Sequence, residues 1–261
     1  MIMKIDKVFT YCSVLFLIIL GLSSCIGQNE DLQEESYGAI DLSVNTETSI
    51  SVNSRALPQE VNTDLLQVML YKGDIKQSVG VNTYGEWKVA PVLVLNADNY
   101  KIKVENCSFE EAESANGGKG SIRVAGESDI FAVNDETKEV QVSCKMVNAA
   151  FGIHFDEAFS ETDCSVTLVA EDNAERSVVL SSDDTSYAYF NIPDVDAGRK
   201  ISFKIQVGEN TKSGSCILNP ADVAILNVGI SGDTSDSFVT IEVNGEVEEV
   251  TLDNTSFNPY V

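Results

Sequence analysis

Few residues of this 261-residue chain have the types and spacing needed for catalysis. The only histidine, His154, lies in the alternating segment 151–155, on the opposite face from Phe151 and Phe155. A Ser–His–Asp or Cys–His arrangement would have to include this histidine, and the chain contains no Gly-x-Ser-x-Gly motif that would place a nucleophile. The sequence therefore predicts no enzymatic activity and no cofactor.

The four cysteines beyond the N-terminal region, Cys107, Cys144, Cys164 and Cys216, are too widely spaced for a zinc site. There is no Cys-x-x-Cys pair and no second histidine, so no metal is predicted. An exported chain can form disulfides, and strand parity places Cys164 and Cys216 with core residues, so a disulfide between them is allowed. The default expectation is that Cys144, Cys164 and Cys216 are buried thiols.

Two kinds of loop resemble ligand-binding segments only in part. Residues 116–121 are rich in glycine but lack the spacing of a phosphate-binding loop and precede a strand-like segment, which favours a flexible hairpin tip. The acidic loops at Asp183-Asp184 and 233–236 offer carboxylates to calcium, but neither has EF-hand spacing. Solvated turns are the expected structure at both acidic positions.

An aromatic pair is the candidate for sugar binding. Tyr84 and Trp87 could form a platform that stacks on a sugar ring at the protein surface. Trp87 also aligns with Phe190 in a faint internal repeat with an offset of 103 residues, and this alignment favours a packing role instead.

These residues are positioned by segments whose apolar residues recur at every second place. Such alternation is typical of half-buried antiparallel strands, and turn signals separate the segments at the spacing of a β-sandwich. The alternating segments include residues 40–44, 68–70, 100–104, 140–146, 164–168, 201–207 and 239–243. The predicted fold is all-β, with two consecutive β-sandwich domains at residues 37–146 and 147–261.

The first 36 residues have the pattern of an export signal. Lys4 and Lys7 precede an apolar run, residues 14–22, which is far shorter than the ~20 residues that span a bilayer. The run ends in Leu-Ser-Ser-Cys25, which resembles a bacterial lipobox. We therefore expect a lipoprotein signal peptide at residues 1–24, lipidation of Cys25, and an acidic tether at residues 25–36; the alternative is an ordinary signal peptide with a chance cysteine.

The charge of the chain excludes one class of partner. With 17 Lys and Arg against 41 Asp and Glu, the formal net charge is −24. Nucleic-acid binding needs a cationic surface that displaces phosphate counterions, so no nucleic-acid partner is expected.

Several short motifs carry a family resemblance through their order. They are Gly-Ala-Ile-Asp-Leu-Ser-Val at 38–44, Ser-Arg-Ala at 54–56, Leu-Asn-Ala-Asp-Asn-Tyr at 95–100, Phe-Ala-Val at 131–133, and Cys-Lys-Met-Val-Asn at 144–148. Together they resemble a Bacteroidota lipoprotein family of uncharacterised function that is similar to fimbrillins, whose subunits have two transthyretin-like β-sandwich domains. The chain departs from the pattern at residues 107–120, where Phe109, Glu110, Glu111 and Glu113 stand in place of the expected Trp and Pro.

The resemblance implies a location and an assembly mechanism. Fimbrillin precursors travel as lipoproteins, lose an N-terminal segment after an arginine, and polymerise when a partner's strand fills the vacated groove. In this chain the arginine would be Arg55, the released strand residues 40–44, and the donor strand the stretch 247–261. We therefore expect the chain to be a surface-exposed outer-membrane lipoprotein that forms fimbrial polymers. The alternative is a glycan-binding surface lipoprotein of a nutrient uptake system, and Arg55 could equally be an ordinary loop cation.

Overall fold

The alternating segments form β-strands that bury their apolar faces, so the all-β prediction is confirmed. The computed structural model describes residues 35–47, 61–159, 162–230 and 237–248. Two short helices, α1 (Tyr84–Trp87) and α2 (Phe109–Ser114), and three single 3-10 turns lie between strands of this described part. The strands are β1 (Tyr37–Glu47), β2 (Gln67–Lys72), β3 (Ile75–Lys76), β4 (Val92–Leu95), β5 (Ala97–Glu105), β6 (Val124–Glu127), β7 (Phe131–Val133), β8 (Thr137–Met146), β9 (Asn148–Phe155), β10 (Cys164–Ala170), β11 (Asn173–Ser181), β12 (Ala188–Asn191), β13 (Arg199–Val207), β14 (Asn210–Leu218), β15 (Val223–Ile230), β16 (Ser237–Val243) and β17 (Glu246–Glu248).

Residues 37–146 are here called the first half, and their described part forms a single eight-stranded sheet. Its strand order is β3-β2-β5-β6-β8-β1-β4, and β7 also pairs with β5. Strands β1 and β8 run parallel, and the other pairs are antiparallel. Leu70 of β2, Ile102 of β5 and Ile40 of β1 all belong to one buried cluster, although β2 and β1 lie near opposite ends of the strand order. The sheet therefore folds over on itself and encloses a core as a sandwich.

Residues 147–248 are here called the second half, and their described part forms two sheets. One has the order β11-β10-β13-β14 and the other the order β12-β9-β15-β16-β17, with β9 and β15 parallel. Phe151 and Leu226 of the five-stranded sheet share a core cluster with Leu168 and Phe203 of the four-stranded sheet. This arrangement is the second sandwich.

The five-stranded sheet is buried on both faces where it meets the first half. Phe151 and Leu226 face the second core, whereas Ala150, Tyr189 and Val223 belong to the core cluster of the first half. Because both faces are covered, six consecutive residues of β9 and all four of β12 are buried. The two halves thus share an apolar contact in addition to their covalent connection through Val147, which separates β8 from β9.

The internal repeat corresponds to equivalent strand pairs with a different register. Val68 lies opposite Val104 in the β2–β5 pair, and Val166 lies opposite Ile205 in the β10–β13 pair. In the internal repeat Val68 corresponds to Val166 and Val104 to Val207. Because Val166 pairs with Ile205 and not with Val207, the registers of the two strand pairs differ by two residues. Trp87 and Phe190, the aromatic match at the start of the repeat, occupy helix α1 and strand β12 respectively.

Candidate functional site

Strand β1 is the element that the sequence singled out for release, and it lies between two other strands. Its residues Ala39–Glu47 pair in parallel with Thr137–Lys145 of β8. Its first residues, Tyr37–Ile40, pair in antiparallel register with Leu95–Val92 of β4. Within the described residues β4 has no other strand partner, so β1 is the element that joins β4 to the sheet.

The inward side chains of β1 complete the first core. Ile40 is 0% exposed, Leu42 3% and Val44 8%, and they alternate with the exposed residues Asp41 and Ser43. Full burial of an aliphatic side chain contributes about 1.5–3 kcal/mol. The burial of these three side chains would therefore hold β1 in place even if its covalent link to the following residues were cut. Removal of β1 would leave a groove lined by the apolar residues that they contact, with the edge of β8 unpaired.

The other positions of the predicted assembly mechanism lie outside the described residues. This applies to Cys25, to Arg55, and to residues 249–261 of the donor stretch, of which the described part is the end of β17. In the part of the chain that the structure describes, no helix is long and apolar enough to span a membrane.

A group of charged side chains joins helix α2 of the first half to the second half. Glu113 Oε1 lies 2.5 Å from Nη1 of Arg199 and 3.7 Å from Nε of Arg176. Arg199 also donates to Oδ1 of Asp172 at 2.8 Å and to the carbonyl of Asn191 at 2.8 Å. Both arginines are buried, and Glu113 is 17% exposed. We call Glu113, Arg176, Arg199 and Asp172 the interface charge cluster.

Burial and the neighbouring carboxylates act in opposite directions on the two arginines. Burial lowers the pKa of Arg176, and Glu113 offsets this effect only in part. Burial also acts to lower the pKa of Arg199, but its hydrogen bonds with Asp172 and Glu113 outweigh burial and raise the pKa above its usual value. Two buried cations therefore depend on one carboxylate of the first half.

The glycine-rich segment 116–121 docks on the second half, which corrects the prediction of a flexible hairpin tip. Arg176 donates to the carbonyl of Gly118, and the backbone amide of Tyr189 donates to the carbonyl of Lys119 at 2.8 Å. Gly120 has a φ of +84°, and a Cβ there would lie 2.8 Å from the carbonyl oxygen of Tyr189. The glycines thus permit close backbone approach between the halves and not a phosphate site.

The structure places Trp87 in the core, which agrees with the packing alternative and not with a glycan-stacking platform of Tyr84 and Trp87. Trp87 is 1% exposed and belongs to the first core cluster, and Tyr84 is half-buried against the same cluster. Helix α1, which carries both residues, begins with backbone amides of Asn82 and Thr83 that donate to Glu86 at 2.7 and 3.0 Å. These bonds hold the pKa of Glu86 below its usual value. No face of the Trp87 ring is open to a sugar.

The structure contradicts a disulfide between Cys164 and Cys216. Cys164 lies opposite Val207 on β13, whereas Cys216 lies opposite Ile201 of the same strand. Six residues of β-strand correspond to a separation of about 20 Å, and a disulfide requires Cα atoms within about 7 Å. Cys144 and Cys164 are buried and Cys107 and Cys216 are half-buried. Burial raises the pKa of the Cys144 thiol to about 11.

The remaining candidates show no assembled catalytic or metal-binding constellation in the described part of the chain. The side chain of His154 is exposed on β9 and makes no hydrogen bond to any residue that the structure describes. Asp184 is bound to Lys119, and residues 233–236 lie outside the described residues. Among the described residues no group of three or more His, Cys, Asp or Glu side chains is arranged to hold a metal ion.

The fold and these contacts define an all-β protein of two sandwiches, in which the N-terminal strand completes the first core. The family model for a domain of unknown function, DUF4493, matches residues 36–255. The chain therefore belongs to this family. No curated protein matches the sequence.

Solved structures similar to this chain include fimbrial proteins of Bacteroidota. The tip fimbrial protein Mfa3 from Porphyromonas gingivalis, with a C-terminal truncation, has a TM-score of 0.45 and 11% identity over 80% of this chain and 98% of its own. A fimbrial assembly protein from Parabacteroides distasonis has a TM-score of 0.41 and 12% identity over 84% of this chain and 98% of its own. The fimbrial anchor protein Mfa2 from Porphyromonas gingivalis has a TM-score of 0.39 and 10% identity over 81% of this chain and 98% of its own.

Proposed function

We propose that this chain is a non-enzymatic, lipid-anchored protein of the outer bacterial surface that acts as a fimbrial structural or adhesive subunit and assembles by strand exchange. The observation that carries the proposal is the position of β1. This strand comes first among the described elements, lies between β8 and β4, and supplies Ile40, Leu42 and Val44 to the first core.

Cleavage within the segment that follows β1 would cut its covalent link to the rest of the sandwich. Residues 48–60 connect β1 to Val61, and Arg55 lies in this segment. After cleavage β1 is held by its strand pairing and its three buried side chains, so a competing strand of similar pattern can replace it. Strand addition at an exposed sheet edge is an established mode of protein association.

The other three arginines are shielded, which favours Arg55 as the processing position. The chain has four arginines, and Arg176 and Arg199 are 7% and 4% exposed. Arg123 is 22% exposed and donates to Oε2 of Glu105 at 2.8 Å. Proteases cut accessible, extensible segments, and a buried, hydrogen-bonded arginine cannot enter a protease active site without unfolding.

The proposed donor follows an edge strand of the second half. Strand β17 pairs only with β16 among the described strands, and the chain continues from it into residues 249–261. In that stretch Val250 and Leu252 alternate with Glu249 and Thr251, the same apolar and polar alternation as in β1.

The decisive experiment uses the chain with Cys25→Ala, so that no lipid is attached, and an arginine-specific protease. The digest is run without heating on a denaturing gel, beside the matched variant Arg55→Lys, which keeps the charge and removes the cleavage site. We expect a ladder of polymers with Arg55 and none with Lys at this position. Cleavage at Arg55 without polymers would contradict strand exchange, and resistance to cleavage would contradict processing at Arg55.

A competing peptide tests which groove the polymer uses. A peptide of residues 37–47 in excess should refill the β1 position and suppress the ladder. The same peptide with Leu42→Asp places a carboxylate in the core and should not suppress it. Equal effects of the two peptides would show that the β1 groove is not the site of assembly.

A further inference from the structure

A cavity of about 390 Å³ opens on the second half, and no described residue of β1 lines it. It is lined by residues of β9, by one residue of β15 and by residues of the loop that joins β11 to β12. The residues that matter for its chemistry are His154 on β9, Ile225 on β15, and Ser182, Thr185 and Tyr187 in and after the loop. Ligand pockets in proteins typically enclose about 300–1,000 Å³, so this cavity is large enough for a small ligand.

Gly152 shapes the apolar side of this cavity. A Cβ at residue 152 would lie 2.8 Å from Cε1 of Tyr187, so the tyrosine ring can pack against β9 only because this residue has no side chain. Tyr187 and Ile225 are 8% and 7% exposed and are held in the first core cluster. The apolar wall is therefore fixed by packing on both halves of the molecule.

The polar side of the cavity carries uncommitted hydrogen-bonding groups. The side chains of His154, Ser182 and Thr185 line the cavity and make no hydrogen bond to any residue in the described part of the chain. A hydroxyl both donates and accepts, and a neutral imidazole has one donor and one acceptor nitrogen. These groups match a ligand whose own groups also both donate and accept.

The charges around the cavity balance. Asp184 lines it, but one carboxylate oxygen is bound by Nζ of Lys119 and the other accepts from the backbone amide of Ser181 at 3.0 Å. Lys119 also donates to Oγ of Ser186 at 3.2 Å. Among the described residues that line the cavity there is no arginine or lysine to bind a phosphate or carboxylate, and their single carboxylate is already neutralised.

We propose that this cavity binds a neutral sugar residue. A sugar offers hydroxyls that donate and accept toward His154, Ser182 and Thr185, and a C–H face toward Tyr187 and Ile225. Neither the buried pair Tyr84 and Trp87 nor any described residue of β1 lines the site, so sugar binding can be tested without cleavage or polymerisation. A surface subunit with this site adheres to glycans of neutral composition.

The test uses the uncleaved chain with Cys25→Ala. The probes are glucose, galactose, mannose, N-acetylglucosamine, maltose, cellobiose and lactose, with glucuronic acid and sialic acid as charged comparators. Saturation-transfer NMR detects binding and calorimetry measures affinity. We expect saturable binding of at least one neutral probe, and His154→Ala should weaken it about tenfold, the effect of one lost hydrogen bond.

Two bulky substitutions locate the bound sugar. Thr185→Trp fills the cavity and should abolish binding, whereas Thr211→Trp, on the exposed edge strand β14, should leave binding unchanged. Circular dichroism confirms that both variants fold. Absence of binding across the neutral probes, tighter binding of the acidic sugars, or full binding by folded Thr185→Trp would each overturn the proposal.

Discussion

Glu113 Oε1 lies 2.5 Å from Nη1 of Arg199, and this ion pair connects helix α2 of the first half to strand β13 of the second. The two residues are 86 positions apart in the chain. Arg199 is 4% exposed, so its guanidinium depends on Glu113, Asp172 and the carbonyl of Asn191 for compensation. The interface charge cluster thus sets how the halves meet, together with the apolar face of the five-stranded sheet.

Glu113→Gln should destabilise the protein strongly. The substitution keeps the side-chain size but removes the charge that faces Arg199 and Arg176, both of which are buried. Removal of one partner of a buried ion pair costs about 3–5 kcal/mol, because the remaining charge stays buried. Arg199 would keep Asp172 and the Asn191 carbonyl, whereas Arg176 would keep the carbonyls of Gly118 and Tyr189. Urea unfolding followed by circular dichroism measures this change in the free energy of unfolding.

The matched control is Glu110→Gln on the same helix. Glu110 is exposed and has no ion-pair partner within the described residues, so its substitution should change the free energy of unfolding by less than about 0.5 kcal/mol. Equal effects of the two substitutions would show that Glu113 does not compensate the buried arginines.

The strands can be predicted from the sequence because their apolar pattern is local. The contacts between the two halves cannot be predicted in this way. Apolar alternation of period two places Ile40, Leu42 and Val44 correctly in the first core. No local pattern identifies Arg176 and Arg199 as buried, because an arginine on a strand is ordinarily solvated and its acidic partner comes from a distant helix. The interface charge cluster was therefore missed.

Helix α2 had a sequence signal that the dominant strand pattern concealed. Ser108 and Glu111 form a capping box, in which the Glu111 amide donates to Ser108 Oγ at 3.2 Å and the Ser108 amide donates to Glu111 Oε2 at 2.8 Å. The spacing Ser-x-x-Glu is recognisable in a sequence and predicts a helix start. It does not predict which residue of the helix, here Glu113, faces the other half.

Leu42→Ala should weaken the first sandwich. Leu42 is 3% exposed and contributes the middle of the three inward side chains of β1. A Leu-to-Ala change in a core lowers the free energy of unfolding by about 2–5 kcal/mol, through lost burial and the cavity that remains. Ser43→Ala, on the exposed face of the same strand, is the control and should have an effect near zero. A small effect at Leu42 would mean that β1 is not an integral part of the core.

The cysteines should be unbridged and unequal in reactivity. Iodoacetamide added to the Cys25→Ala chain in denaturant, without a reducing agent, should modify Cys107, Cys144, Cys164 and Cys216 alike, because Cys164 and Cys216 are too far apart to join. In the native protein at pH 8 Cys144 should stay unmodified, since it is buried and its pKa is raised to about 11. Mass spectrometry of peptides measures the modification of each cysteine in the denatured and in the native protein. Protection of Cys164 and Cys216 in denaturant, removed by reductant, would contradict the strand register.

The contact between Lys119 and Asp184 should make part of the free energy of unfolding depend on pH in the acid range. The Lys119 hydrogen bond, followed by that from the Ser181 amide, holds the pKa of Asp184 below its usual value of 3.8. A carboxyl group whose pKa is lower in the folded state stabilises the fold above the unfolded pKa and loses that contribution as the pH falls through the folded pKa. The wild type should therefore be more stable than Asp184→Asn at pH 6, and the difference should shrink below about pH 4.

Asp183→Asn, at an exposed neighbouring position, should show no such difference. Parallel stability curves of wild type and Asp184→Asn from pH 6 to pH 2.5, measured by thermal unfolding, would contradict a stabilising role for this ion pair.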